Sequence, residues 1–355
     1  MNVHELLKIM VEKGASDLHV KVGSPPTLRI GGNLWPMEGH STLTPDDTKT
    51  IVDFITTDEQ RKRFEEDIEL DIAYFIDEIG RFRVNIFQQQ RSYGIVFRHI
   101  PFEIRSFEEL LLPTQVLESL SNLKSGLVVV TGPTGSGKST TLAAIIQNIN
   151  LTQRRHVVTI EDPVEYVFQD KMAIINQREL GVDTKSFSAA LRRVLRQDPD
   201  VIMVGEMRDV ETMSLTLSAA ETGHLVLATM HTNGAILAID RIIDSFPSGQ
   251  QPQIRTQLSL ILEGVISQVL IPKTDEAGRV VAVEILMGSP AIRNLIREGK
   301  THQMATLMHT GAQFGMQTLE QAMKVLYQKK LVTFENALAC AHDAETFKKL
   351  VGRAE

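Results

Sequence analysis

The rhythm of apolar and polar positions changes partway along the chain. At the start, Val3, Leu6, Leu7, Met10 and Val11 recur at the spacing of one helical face. Short segments that alternate apolar with polar follow: LHVKV (18–22), LDIAYFI (70–76), RFRVNIF (81–87) and YGIVFRHI (93–100). A period of two predicts half-buried strands. Between them, Thr44–Glu66 predicts a helix opened by Thr44-Pro45-Asp46-Asp47. From Ser125 onward the runs become nearly continuous: LVVVT (127–131), HVVTI (156–160), VIMVG (201–205) and LVLAT (225–229). Continuous runs fit a mostly parallel sheet covered on both faces, with helices such as Phe187–Gln197 and Val210–Thr222 between the strands. Beyond about residue 235 the pattern is mainly helical, with one hairpin across Lys273–Gly278.

The pattern divides the chain into an N-terminal α+β domain (1–100), a hinge or linker (101–120) bracketed by Pro101 and Pro113, and an α/β domain with a helical C-terminal region (121–355). Aromatic residues support the division. Trp35, Tyr74, Tyr93 and eight of the 14 Phe precede residue 108. A length of 355 residues also matches about two domains, each able to bury its own core. The single cysteine, Cys340, cannot form an intrachain disulfide and has no zinc-type spacing, which fits a reducing compartment. The N-terminus reads as an amphipathic helix and not as a signal or transit peptide. No apolar run approaches the roughly 20 residues that span a bilayer, so a cytoplasmic protein without membrane insertion is expected. A net charge of −7 disfavours nucleic acid as a partner.

The chemistry centres on Gly132-Pro133-Thr134-Gly135-Ser136-Gly137-Lys138-Ser139, which follows an apolar run and leads through Thr140 into a helical stretch. It is a complete P-loop in strand–loop–helix context, and a nucleoside triphosphate is the implied ligand. The glycines let backbone N–H groups curl around phosphate oxygens, and the helix N-terminus adds partial positive charge. Lys138 would reach the β/γ-phosphates and Ser139 would offer its hydroxyl to Mg²⁺. Ligands on open α/β sheets bind beyond the carboxyl ends of the strands. HVVTI runs into Glu161-Asp162-Pro163-Val164-Glu165, three carboxylates at one strand end, with Glu165 the candidate to orient or deprotonate the attacking water. VIMVG ends in Glu206, a Walker B strand with Gly205 where Asp commonly stands, and Glu206 would hold Mg²⁺ through water. His224 and His231 flank LVLAT. On the residues alone they are equally phosphate sensors or ordinary polar residues at strand ends.

GPTGSGKST, TIEDPVE, RQDPDVIMVGEMRD and TGHLVLATMHTNGA resemble, in order, the Walker A, Asp, Walker B and His boxes of the secretion ATPase superfamily that drives type II secretion and type IV pili. The resemblance extends to ASDLHVKVGSPPTLRIGG, GRFRVNIFQQQ and AIRNLIREGK (291–300), the last similar to the signature of the pilus retraction ATPases. It implies a RecA-like P-loop NTPase core, a smaller PAS-like α+β N-terminal domain and a helical C-terminal region. It further implies a homo-hexamer at the cytoplasmic face of the inner membrane. That ring would use ATP and Mg²⁺ to withdraw pilin through an inner-membrane platform protein, alone or beside a paralogous retraction ATPase. On matching positions, Lys138 serves phosphates, Ser139 and Glu206 the metal, Glu165 the water, and His224 and His231 nucleotide sensing. Arg81, Arg83 and Arg98 are the N-terminal arginines that would approach nucleotide at a seam between domains or subunits. In 291–300, Ala291, Ile292, Leu295 and Ile296 would pack one face and leave Arg293, Arg297 and Glu298 to couple hydrolysis to movement. A paralogous, accessory retraction ATPase is the close alternative, and a nucleotide-switched assembly protein of a secretion or pilus system is the alternative from another class.

Overall fold

The structure is a computed structural model and describes residues 2–77, 79–100, 104–275 and 278–353. The chain forms two compact units, Met1–Glu103 and Ile104–Glu355. The first holds helices α1 (Val3–Glu12), α2 (Pro45–Ile55) and α3 (Asp58–Asp67). Its strands are β1 (Asp17–Lys21), β2 (Thr27–Ile30), β3 (Asn33–Pro36), β4 (Glu69–Ile76), β5 (Gly80–Gln89) and β6 (Ser92–Ile100). They form one antiparallel sheet in the order β3-β2-β1-β6-β5-β4. Leu18, Phe82, Val84, Ile86, Ile95 and Phe97 share its core face and are buried with Leu6, Leu7 and Met10 of α1 and Ile51 and Val52 of α2. The single helix expected over 44–66 is two. Thr56 is extended, and Thr57 starts α3 with a capping box in which Gln60 N–H donates to its hydroxyl and Thr57 N–H to the Gln60 amide oxygen.

The second unit contains α4 (Thr114–Ser121), β7 (Gly126–Thr131), α5 (Lys138–Thr152), β8 (His156–Glu161), β9 (Ile174–Glu179), α6 (Phe187–Val194), β10 (Val201–Val204), α7 (Val210–Glu221) and β11 (Leu225–Thr229). It continues through α8 (Ala235–Asp244), α9 (Gln251–Ile261), β12 (Leu262–Pro272), β13 (Arg279–Met287), α10 (Pro290–Glu298), α11 (Met304–Thr310), α12 (Leu319–Gln328), α13 (Phe334–Cys340) and α14 (Ala344–Leu350). The sheet order is β13-β12-β7-β11-β10-β8-β9, parallel except for β13. Numbered by appearance, β12-β7-β11-β10-β8 is a 5-1-4-3-2 sheet, the RecA-like arrangement expected from the motifs. The central strands β7, β10 and β11 are buried on both faces, which is why their sequences show runs and not alternation.

The hairpin expected across Lys273–Gly278 is present, although residues 276 and 277 lie outside the described residues. Its arms are long strands that extend the main sheet, so the region after 235 is less helical than its pattern predicts. Of the segment read as a linker, Pro101 lies outside the described residues. Phe107, Leu112, Leu117 and Leu120 are buried with Val128, Val130 and Ile145 of the second unit. Among the described residues no helix is long and apolar enough to cross a membrane.

In α10, Ile292 and Ile296 are buried, whereas Arg293 does not stand free as the helical spacing predicts. Its guanidinium donates to Gly288 O at 2.6 Å, Ser259 O at 3.2 Å and Leu260 O at 2.5 Å, and pairs with Glu263 at 2.6 Å. The cation meets carbonyls in the last turn of α9, where a helix leaves acceptors unpaired and its dipole favours positive charge. Arg293 is therefore a clasp between α9, α10 and the β12–β13 hairpin, while Arg297 is exposed beside Asn294. Arg293→Ala is expected to cost about 2–3 kcal/mol, from a lost charged hydrogen-bond set and an unpaired Glu263. Arg297→Ala should stay within about 0.5 kcal/mol. Urea unfolding of the two variants checks the contrast, and equal midpoints would dismiss the clasp.

Candidate functional site

β7 ends at Thr131, and the chain turns at Gly132 with φ 139°. A side chain there has no room: a Cβ would lie 2.3 Å from the Gln268 carbonyl oxygen of β12 and 2.8 Å from Ser136 Oγ. The close approach of loop to strand selects glycine. From the same strand, Gln268 Nε2 donates to Ser136 O at 2.7 Å, so β12 supports the loop from below. α5 begins after Gly137, φ 90°, with no side-chain cap. Its first-turn N–H groups face the loop uncapped, the arrangement that suits an anion. Lys138 and the Ser139 hydroxyl project from this turn.

Lys138 is nearly buried; its ammonium donates to Gly132 O at 2.9 Å and Pro133 O at 3.1 Å and lies 3.4 Å from His231 Nδ1. Burial lowers its pKa, and the charges of Glu206 and Glu165 act the other way. Across the imidazole, His231 Nε2 is 3.3 Å from Glu206 Oε2, which also pairs with Arg208 Nε at 2.7 Å. Ammonium only donates and carboxylate only accepts, so Nδ1 faces a donor and Nε2 faces an acceptor. His231 thus bridges the P-loop lysine and the carboxylate at the end of β10. The Thr131 hydroxyl secures the bridge by donating to Thr232 O at 2.7 Å and accepting Thr232 N–H at 3.0 Å. Gly205 precedes Glu206 because a Cβ would stand 3.0 Å from Ile160 O and 3.2 Å from Glu161 Cα. An aspartate there would press on β8.

The three carboxylates after β8 separate. Glu161 turns inward and is buried, its carboxylate accepting from Thr159 Oγ1 at 2.6 Å and Gln177 Nε2 at 3.1 Å, with burial raising its pKa. Buried Glu179 accepts Val164 N–H at 3.2 Å. Tyr166 docks the loop on α5 through a 2.8 Å bond between its hydroxyl and Thr140 Oγ1. These contacts leave Asp162 and Glu165 outward, and only Glu165 is near enough for its charge to act on Lys138.

One expected residue, His224, does not join this cluster. His224 precedes β11 and His231 follows it, so seven residues at about 3.3 Å each put them roughly 20 Å apart at opposite ends of the sheet. His224 lies where β7 begins, not where it ends: Gly126 N–H donates to its carbonyl at 3.0 Å, and its Nδ1 lies 3.0 Å from Ala219 O in the last turn of α7. Arg81, Arg83 and Arg98 belong to the first unit. Arg83 and Arg98 are cross-strand partners on β5 and β6; Arg98 pairs with buried Asp17 at 2.9 Å and Arg83 with Asp71 at 3.6 Å. Arg81 shares their face by the period of two.

Sequence reasoning missed Gln268, Tyr166, Gln177 and Arg208. Ser267-Gln268 inside the apolar run VISQVLI was a usable signal, since a polar pair in a covered strand needs a partner. On the β12 side of the P-loop lies a cavity of about 470 Å³, lined by Gly137, Thr140 and Thr141 and by Leu112, Leu270 and Arg279. His231 and Glu206 occupy the β11–β10 side.

Residues 56–324 match the type II/IV secretion system protein family. The type IV pilus retraction ATPase PilT of Pseudomonas aeruginosa is 48% identical over 98% of this chain and 100% of its own length. PilU of the same organism, a type IV pilus ATPase, is 42% identical over 99% of this chain and 91% of its own length. A crystal structure of the pilus retraction motor PilT with bound ADP superposes with a TM-score of 0.92 at 48% identity, covering 98% of this chain and 99% of that one.

The geometry separates the two histidines of the His box. His231→Ala should slow nucleoside triphosphate hydrolysis by at least about tenfold, while His224→Ala should change it by less than about threefold. Steady-state rates of the two purified variants decide, and equal losses would return His224 to the site.

Proposed function

The chain belongs to the type II/IV secretion system protein family, and we propose that it is the ATP-hydrolysing motor of type IV pilus retraction. The observation that carries this reading is the bridge from Lys138 through His231 to Glu206, which joins the P-loop to the end of the Walker B strand. ATP would lie along the P-loop with its nucleoside in the cavity on the β12 side and its γ-phosphate toward His231 and Glu206. Lys138 supplies the fixed positive charge for the β- and γ-phosphates, and the first turn of α5 supplies backbone N–H donors. The hydroxyl of Ser139 and the carboxylate of Glu206 are the hard oxygen donors that suit Mg²⁺. Bound there, Mg²⁺ would neutralise phosphate charge. Outward-facing Glu165 orients the attacking water and receives its proton. His231 senses the γ-phosphate, because a phosphate oxygen arriving between Lys138 and His231 takes the ammonium that faces Nδ1 and puts an acceptor in its place.

The motor works as a homo-hexamer at the cytoplasmic face of the inner membrane. Arg81, Arg83 and Arg98 reach the nucleotide of a neighbouring subunit, which requires a closed head-to-tail ring. Its other partners are an inner-membrane pilus platform protein and a PilU-like paralogue, with exposed Arg297 at the coupling surface. The relatives named PilT and PilU support the assignment to pili and to retraction.

Glu165→Gln should bind ATP within about threefold of wild type and lose at least about a hundredfold in turnover. Near-normal turnover would transfer the water-orienting role to Asp162. Cells lacking the gene should carry excess pili that do not retract; loss of pili would mark an assembly protein instead. Arg297→Glu should keep basal ATPase within about twofold and abolish retraction. Retraction at the wild-type rate in that variant would remove Arg297 from the coupling surface.

A further inference from the structure

A carboxylate outside the phosphate cradle holds the loop that carries His231. Glu284 sits on β13, and its Oε2 accepts the N–H of Ala235, the first residue of α8, at 2.7 Å. Gly234 ahead of it has φ 136° and supplies no side-chain cap. A side chain from another strand therefore fills the acceptor role that Ser or Asp fills at most helix starts. His231 stands four residues before Ala235, and between them Thr232 is clamped to Thr131. The loop is thus fixed at both ends, by β7 on one side and by Glu284 on the other.

Glu284 also faces the C-terminal helices. His342, in the segment before α14, comes close to Gly234: a Cβ built on that glycine would lie 3.8 Å from both His342 Cε1 and Glu284 Oε2. Glu320 of α12 is buried and accepts the N–H groups of His342 and Asp343, each at 3.1 Å. Asp343 in turn caps α14 through Thr346 N–H at 3.0 Å. Burial raises the pKa of Glu284; the Ala235 N–H bond and His342 oppose that rise, and Glu320 adds to it.

We propose that Glu284 is a positioning residue for His231: its carboxylate holds the start of α8, and through it residues 231–234, where His231 spans Lys138 and Glu206. His342, whose N–H the Glu320 carboxylate of α12 accepts, lies against the same loop at Gly234, ahead of α14. The proposal rests on the placement of His231 in the hydrolytic site.

The test is a double-mutant cycle on the full chain, read by steady-state ATPase and by hydrogen exchange without nucleotide. Glu284→Leu should lower kcat at least about tenfold, shift KM for ATP by less than about threefold, and speed exchange in peptides covering 231–240. Glu284→Gln retains an oxygen for Ala235 N–H and should keep kcat within about threefold. In a His231→Ala background, adding Glu284→Leu should change kcat by less than about twofold. If His231→Ala alone leaves kcat unchanged, the placement of His231 fails and the inference falls with it. If His231→Ala lowers kcat and Glu284→Leu lowers it again by its full factor, the site reading stands and the positioning role is overturned. Should the leucine variant not fold, Glu284→Asp, whose carboxylate is drawn back by one methylene, enters the same cycle with the same two outcomes.

Discussion

The second unit depends on keeping one nearly buried ammonium where a phosphate chain can use it. Burial works against the charge of Lys138, and the surrounding structure answers with two loop carbonyls and the fields of Glu206 and Glu165. Those groups come from the ends of β7, β10 and β8, with β11 between β7 and β10, so they stay together only if these four strands stay in register. The parallel ladder continues past the strands: Met230 N–H donates to Val130 O at 3.1 Å, and Met207 N–H to Thr229 O at 3.0 Å. The residues next to His231 and Glu206 are therefore tied to the same lattice as the strands. The loops of the site inherit the rigidity of a buried sheet, the condition for preorganised charge stabilisation.

Much of this was legible before any coordinates, for identifiable reasons. Continuous apolar runs marked the covered strands, and the glycine spacing marked the phosphate loop. What escaped depended on information that local pattern does not hold. The break between α2 and α3 turns on one threonine whose hydroxyl caps a new helix, in a stretch whose composition is helical throughout. The arms of the β12–β13 hairpin are covered on both faces, so they lack the alternation that would have distinguished them from buried helix. His224 and His231 looked equivalent because proximity to a strand says nothing about which end of the sheet a residue occupies. Strand direction resolves them: His231 lies past the carboxyl end of β11 and His224 before its amino end. The polar pair Ser267-Gln268 signals a need for a partner, but which partner Gln268 meets, like the docking of Tyr166 on α5, depends on the tertiary fold.

Arg293 and Arg297 are one helical turn apart with opposite surroundings. A cation at position 293 meets the carbonyl end of α9 and the carboxylate of Glu263; four residues later the side chain is exposed. A segment that resembles a functional signature therefore has a structural share and a surface share, and helical periodicity cannot divide them. The division follows from what lies opposite each residue, here the unpaired acceptors that every helix C-terminus leaves.

The loop 231–234 is where the two polar networks of the second unit meet. On one side His231 contacts Lys138 and Glu206; on the other the start of α8 rests on Glu284, with His342 and Glu320 behind it. Thr131 and Glu284 clamp the loop at its two ends, so it has little freedom to flex between them. A backbone displacement of His231 by an arriving phosphate must break the Thr131–Thr232 bonds, because Thr232 lies between His231 and the start of α8. Breaking that reciprocal pair would leave a half-buried backbone donor without its partner, at a cost toward the low end of about 1–3 kcal/mol.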